Sequence, residues 1–157
     1  LRNSDLPINP DEISLFGRSM GGGVVLQALE MAPGFVSAGV VYSGVSSIES
    51  DNFHQFGRDG DGFAADFVAE HGTPEESPRA WLAMSTRPYA DRISEPVLLI
   101  HGRRDATCPP SWATATEEAL ADAGVDVDLR WYEDGHAFDP QFTESMDDLV
   151  SLLQTAT

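Results

Sequence analysis

The chain has 157 residues, with 26 acidic and 9 basic side chains and a formal net charge of −17. Every basic residue is an arginine; there is no lysine. Phosphate contacts need clustered cations, so this balance excludes nucleic acid and anionic membrane surfaces as partners.

The length suits one core of ordinary size, and 41% hydrophobic content suits a globular domain. The excess of carboxylates fits a high-salt cytoplasm, where screening removes self-repulsion. It fits equally a GC-rich genome, which favours arginine codons. Cys108 is the single cysteine, so no intrachain disulfide can form. No apolar run reaches about 18 residues, so no membrane-spanning helix is expected. No signal peptide is visible, and the expected location is the cytoplasm.

In chain order, residues 1–12 are polar and loop-like, with Pro7 and Pro10. The apolar run 13–16 predicts a strand. A glycine-rich turn follows, and then a helix over about residues 20–32. Only Gln27 and Glu30 interrupt the apolar character of that helix, which predicts that it is buried rather than half-exposed. Pro33-Gly34 ends it, and residues 38–42 read as a second strand, apolar throughout.

Residues 43–92 lack strand alternation and read as a helical excursion. Phe63, Ala64, Phe67 and Val68 share one helical face after Asp61-Gly62, and His71-Gly72 closes that helix. Ser77-Pro78 opens a second short helix carrying Trp81, Leu82 and Met84. Residues 96–101 predict a third strand. Pro109-Pro110 opens a helix with Trp112, Ala115, Ala119, Leu120 and Ala123 on one face, ended by Gly124. Residues 125–132 alternate as an edge strand does. Asp139-Pro140 opens the last helix, with Phe142, Met146, Leu149, Val150 and Leu153 as its buried stripe. Strands alternating with helices imply an α/β fold with a parallel sheet and helices on both faces.

The chemistry begins at Gly17-Arg18-Ser19-Met20-Gly21-Gly22. A serine at the apex of a strand–turn–helix stands clear of the backbone, and glycines on either side let strand and helix approach closely. A serine hydroxyl is a poor nucleophile until a base takes its proton. An acid and a histidine follow in order: Asp105 after the third strand and its His101-Gly102, and His136 after the fourth. Ser, acid, His in that chain order is the order of the α/β-hydrolase triad. Glu133 and Asp134 rival Asp105, but they lie too near His136 in sequence and do not follow the third strand. His54, His71 and His101 read as structural, and Cys108 as a small packed residue. No His/Cys cluster has metal-ligand spacing, so no metal and no cofactor are expected. Gly21-Gly22-Gly23 lacks the lysine of a phosphate loop.

Three stretches together resemble the prolyl oligopeptidase-like branch of the α/β-hydrolase superfamily. They are Gly-Arg-Ser-Met-Gly-Gly, then Pro-Val-Leu-Leu-Ile-His-Gly-Arg-Arg-Asp with a Cys-Pro-Pro turn, then Tyr-Glu-Asp-Gly-His-Ala-Phe. The likeness runs from Ile13 to Leu153. Cys108 stands where a valine is more usual. The resemblance implies Ser19 as nucleophile, His136 as general base and then acid, Asp105 as its orienting group, and the Met20 backbone N–H as one oxyanion donor. It implies a serine hydrolase acting on peptide or ester bonds. A carboxylesterase of small acyl esters and an inactive fragment are the alternatives. It further implies that 1–157 is part of a catalytic domain, strands 5 to 8 of the fold, with 43–92 as a cap-like insert shaping the substrate pocket. The N-terminal half of the same protein, which would supply the loop for a second oxyanion donor, is then an expected partner.

Overall fold

A computed structural model describes residues 9, 12–57 and 65–155. Four strands form one sheet: β1 (Ser14–Arg18), β2 (Ala38–Tyr42), β3 (Val97–Gly102) and β4 (Val127–Tyr132). Their spatial order follows the chain, β1-β2-β3-β4, and every pairing is parallel. β2 and β3 lie inside and are buried at every position. This is why their sequences are continuous apolar runs. At the edge, β4 exposes Asp128 and Arg130 and turns Val127 and Leu129 inward, as its alternation predicts.

Helices cover both faces. On one, α1 (Met20–Met31) and α5 (Pro110–Asp122) close an aliphatic core of Val25, Leu26, Leu29, Val41, Val97, Leu99 and Leu120. On the other, α6 (Phe142–Thr155) lays Met146, Leu149 and Leu153 on Val40, Tyr42, Leu98, Ile100, Tyr132 and Phe138. No helix among the described residues is long and apolar enough to cross a membrane.

Three helix faces differ from expectation. α1 is half-exposed, not buried: Gly22, Val25, Leu26 and Leu29 face the sheet, while Met20, Val24 and Met31 are 74%, 57% and 81% exposed. A helix lying on one sheet can bury only the stripe that meets it, whatever the composition of its other side. In α5 Leu120 is buried as expected, but its buried companions are Ala113 and Thr116 rather than Trp112, Ala115, Ala119 and Ala123. Thr116 is buried because its hydroxyl shares a 2.8 Å hydrogen bond with Ser47. In α6, Phe142 and Val150 stand exposed at the margins of the stripe.

The excursion after β2 is helical and more segmented than its composition suggests. It contains α2 (Glu49–Asn52), a π-helical turn (Phe53–Gly57), α3 (Ala65–His71), α4 (Pro78–Ala83) and a 3-10 stretch (Arg87–Arg92). Gly72, at φ +85°, ends α3, and Pro78 opens α4. Phe63, Ala64 and Asp61-Gly62 lie outside the described residues. Trp81 is the hub of the excursion. It is 2% exposed, its ring packs on Phe53 and Phe67, and its Nε1–H donates to the Gly72 carbonyl at 3.1 Å.

Candidate active site

Ser19 sits between β1 and α1 at φ 54°, ψ −121°, a conformation that side chains rarely adopt. Such strain costs on the order of 1–3 kcal/mol and persists only where surroundings enforce it. Here the Ser19 N–H donates to the Tyr42 carbonyl at 2.9 Å, while the Ser19 carbonyl accepts from Gly22 and Val45. A Cβ at Gly17 would fall 2.0 Å from the Gly21 carbonyl oxygen, so the turn admits no side chain there. The flanking glycine on the other side differs: a Cβ on Gly21 would meet nothing within 4 Å. Gly22 is the position that lets α1 approach β2, its Cβ site lying 2.8 Å from Val41. Met20 is the first residue of α1, and the first N–H groups of a helix have no acceptor within it. Its amide therefore stands beside Ser19 as a donor for an anion.

Asp105 lies in the turn after β3, and its side chain is fully buried. One oxygen, Oδ1, accepts from the backbone N–H groups of Thr107 (2.9 Å) and Cys108 (2.8 Å). The other, Oδ2, accepts from His136 Nδ1 at 2.8 Å. A carboxylate oxygen accepts here, so the proton sits on Nδ1, leaving the Nε2 lone pair of His136 free to take a proton. The His136 side chain keeps 22% of its surface exposed.

Neither rival acid reaches the histidine. Asp134 is spent on its own loop, accepting from Gly135 N–H (2.8 Å) and Gln141 N–H (2.9 Å). Glu133 pairs with Arg103 at 3.2 Å on the surface. His101 is structural, as its position at a strand end suggested. Its Nε2–H donates to the Cys108 carbonyl at 2.9 Å, and burial pushes its pKa below the usual range, which keeps it neutral. It thereby braces the turn that presents Asp105.

Two tethers of the histidine loop were not legible as functional. Gly102 ends β3, and a Cβ there would sit 2.5 Å from the Asp134 carbonyl oxygen and 2.7 Å from that of Gly135. The loop carrying His136 can therefore lie on the end of β3 only over a glycine. Arg18, next to Ser19, donates to the His136 carbonyl at 2.9 Å and ties the nucleophile turn to the histidine loop. Nothing in the sequence around Arg18 signals a contact 118 positions away.

Spacing in the chain gave no metal cluster, yet the fold brings donor atoms of Asp105, Cys108 and His136 within 4.8 Å of one another. Burial pushes the Cys108 thiol up to about 11, with the neighbouring Asp105 charge adding to the shift. A thiol ligates as thiolate, so this group is a poor ligand at neutral pH. The neighbouring Ser19 hydroxyl works against that shift.

Beside Ser19 lies a cavity of about 280 Å³. Met20, Gly23, Val24 and Gln27 of α1 form one wall, and Val45, Glu49, Asn52 and Phe56 of the excursion form the other.

A parallel sheet with helices on both faces, a strained serine at the turn after β1 and an Asp–His pair after β3 and β4 define part of an α/β-hydrolase. The chain belongs to the prolyl oligopeptidase family, whose pattern matches residues 2–149. It is similar in structure to an acylaminoacyl peptidase of Pyrococcus horikoshii, at 21% identity and a TM-score of 0.72, over 93% of this chain and 24% of that one. A puromycin hydrolase matches at 23% identity and a TM-score of 0.75, over 94% of this chain and 22% of that one. A puromycin-hydrolyzing peptidase of Mycobacterium tuberculosis matches at 26% identity and a TM-score of 0.63, over 82% of this chain and 19% of that one. No curated protein matches. The chain thus spans about a quarter or less of the length of these solved relatives.

Proposed function

We propose that this chain carries the catalytic centre of a serine hydrolase that cleaves peptide or ester bonds, with Ser19, His136 and Asp105 as its triad. The observation that carries the reading is the 2.8 Å bond from His136 Nδ1 to the buried Asp105, beside a serine held at φ 54°. Membership of the prolyl oligopeptidase family supports the peptidase side of it.

Ser19 Oγ attacks the substrate carbonyl carbon, and His136 Nε2 takes the hydroxyl proton. Asp105 holds the ring in the tautomer that can accept it and stabilises the imidazolium. The carbonyl oxygen becomes an oxyanion, to which the Met20 N–H donates. A second donor would come from chain that precedes β1 in the family. One such donor contributes about 2.7–4 kcal/mol to the transition state. As the tetrahedral centre collapses, the bond to the leaving amine or alcohol breaks and His136 returns the proton to it. Water then attacks the acyl-enzyme, His136 again taking and returning one proton, and the acid product leaves with Ser19 restored. Cys108 is a bystander: held as a neutral thiol, it can accept or donate a weak hydrogen bond to Ser19 but cannot compete as nucleophile.

Turnover of an aminoacyl arylamide and of its ester is the test. Both activities should fall on the order of 10⁶-fold in Ser19→Ala. The acyl adduct should be trapped on the residue 16–32 peptide. Turnover that survives Ser19→Ala would overturn the assignment.

A further inference from the structure

The cavity beside Ser19 is apolar on most of its surface, with Met20, Val24, Val45 and Phe56 in its walls, but one wall carries a carboxylate. Glu49 is put there by a set of buried contacts. The Ser46 N–H donates to Asn52 Oδ1 at 2.9 Å, and the Asn52 amide donates back to the Ser46 carbonyl at 3.0 Å. The same amide donates to Glu49 Oε2 at 3.2 Å. The Glu49 N–H donates to Ser85 Oγ at 2.9 Å, and that hydroxyl donates on to the Trp81 carbonyl at 2.9 Å. Asn52, itself 4% exposed and also lining the cavity, thus fixes one carboxylate oxygen. The other, Oε1, has no partner among the described residues, and no arginine among them pairs with Glu49.

We propose that Glu49 makes this cavity a subsite for a cationic side chain, so that the preferred substrates carry arginine or lysine at the residue whose carbonyl Ser19 attacks. The proposal rests on the triad reading above and names the substrate class of that same site. Three considerations support it. A long aliphatic stem ending in a cation matches apolar walls with one acceptor at their margin. Burial raises the Glu49 pKa, and no nearby cation offsets it. A desolvated carboxylate lacking its counter-charge is a cost that a bound ammonium or guanidinium removes. The formal charge of −17 also favours the approach of cations over anions.

The test uses the full chain and two readouts. The first is the rate at which a small uncharged fluorophosphonate labels Ser19, with benzamidine or its neutral isostere benzamide as competitor. Benzamidine should slow labelling at concentrations where benzamide does not, and in Glu49→Gln the two competitors should act alike. The second is kcat/KM for a pair of peptidyl arylamides differing only in arginine or leucine before the scissile bond. The arginine substrate should lead by about tenfold or more, and Glu49→Gln should cut the arginine-to-leucine ratio by about ten- to hundredfold. Equal protection by the two competitors, or equal losses on both substrates, overturns the subsite and leaves the triad standing. Absence of Ser19 labelling overturns the triad reading and the subsite with it. The comparison of benzamidine with benzamide needs only the wild type, so a Glu49→Gln chain that fails to fold does not shield the proposal.

Discussion

The turns that carry Ser19, Asp105 and His136 and the excursion that walls the cavity are built in opposite ways. The turns of the proposed triad are tied mostly to backbone groups, with the side chains of Arg18, Asp105 and Asp134 also reaching backbone partners. Ser19 is fixed by amide and carbonyl bonds to Tyr42, Gly22 and Val45. Asp105 is fixed by the amides of Thr107 and Cys108. The histidine loop is fixed by Gly102, where a side chain would strike two carbonyls. The excursion hangs on side chains instead: the Trp81 ring cluster, the Ser46–Asn52–Glu49 set and the hydroxyls of Ser47 and Ser85. Backbone closure makes the position of a reacting group nearly independent of sequence elsewhere. Side-chain closure lets a wall be rebuilt by substitution. Under the proposed function, the chemistry would be held on the sheet and selectivity placed on a part that can change.

The sharpest way to break this comparison is at the acid. Asp105→Asn keeps the shape of the turn but cannot hold the useful tautomer of His136, so kcat should fall on the order of 10⁴-fold with KM little changed. A loss of under tenfold, read from initial rates, would mean that Asp105 only supports the fold.

A smaller effect is expected from the excursion. Trp81→Ala should cost about 3–5 kcal/mol in urea unfolding if the excursion unfolds with the sheet. In native buffer it should raise KM while leaving kcat on a small ester within a few-fold. A fall in kcat as large as that of Asp105→Asn would show that the two regions are not separable.

The smallest effect concerns pH. Burial depresses the pKa of His101, so the folded form stays neutral where the unfolded chain, with its pKa near 6.5, takes up a proton. The stability tied to that neutral ring is present above the unfolded pKa and is lost as pH falls toward the depressed folded value. Each unit of depression corresponds to about 1.4 kcal/mol. His101→Gln should therefore be less stable than wild type at pH 8 and show a shallower loss between pH 7 and pH 5. Parallel pH profiles of the two chains would contradict a neutral buried His101.

Much of the catalytic frame was legible in the chain because it obeys local rules. The runs at 38–42 and 97–102 read as buried parallel strands, and Ser19, Asp105 and His136 each stand just after a strand in that order. Asp105 was preferred over Glu133 and Asp134 on reach, and it is the one of the three that hydrogen-bonds the His136 ring, at 2.8 Å. What escaped reading is what depends on distant partners. Arg18 gains its role from a carbonyl 118 residues away, and Gly102 from the backbone of Asp134 and Gly135. The exposed side of α1 was misread because composition shows how apolar a helix is, not how many surfaces it meets. Within the excursion, α2 and the π-helical turn were missed. A four-residue helix beginning Glu-Ser-Asp-Asn has no apolar stripe, so periodicity had nothing to detect. Glu49 and Asn52, two walls of the cavity, were lost with it.

The most direct test of the account is a fluorophosphonate adduct mapped by peptide mass spectrometry in wild type, Ser19→Ala and Asp105→Asn. The account predicts a single adduct on Ser19, formed much more slowly in Asp105→Asn and absent from Ser19→Ala. An adduct on any other residue, or equal labelling of Ser19 with and without the Asp105 carboxylate, would contradict it.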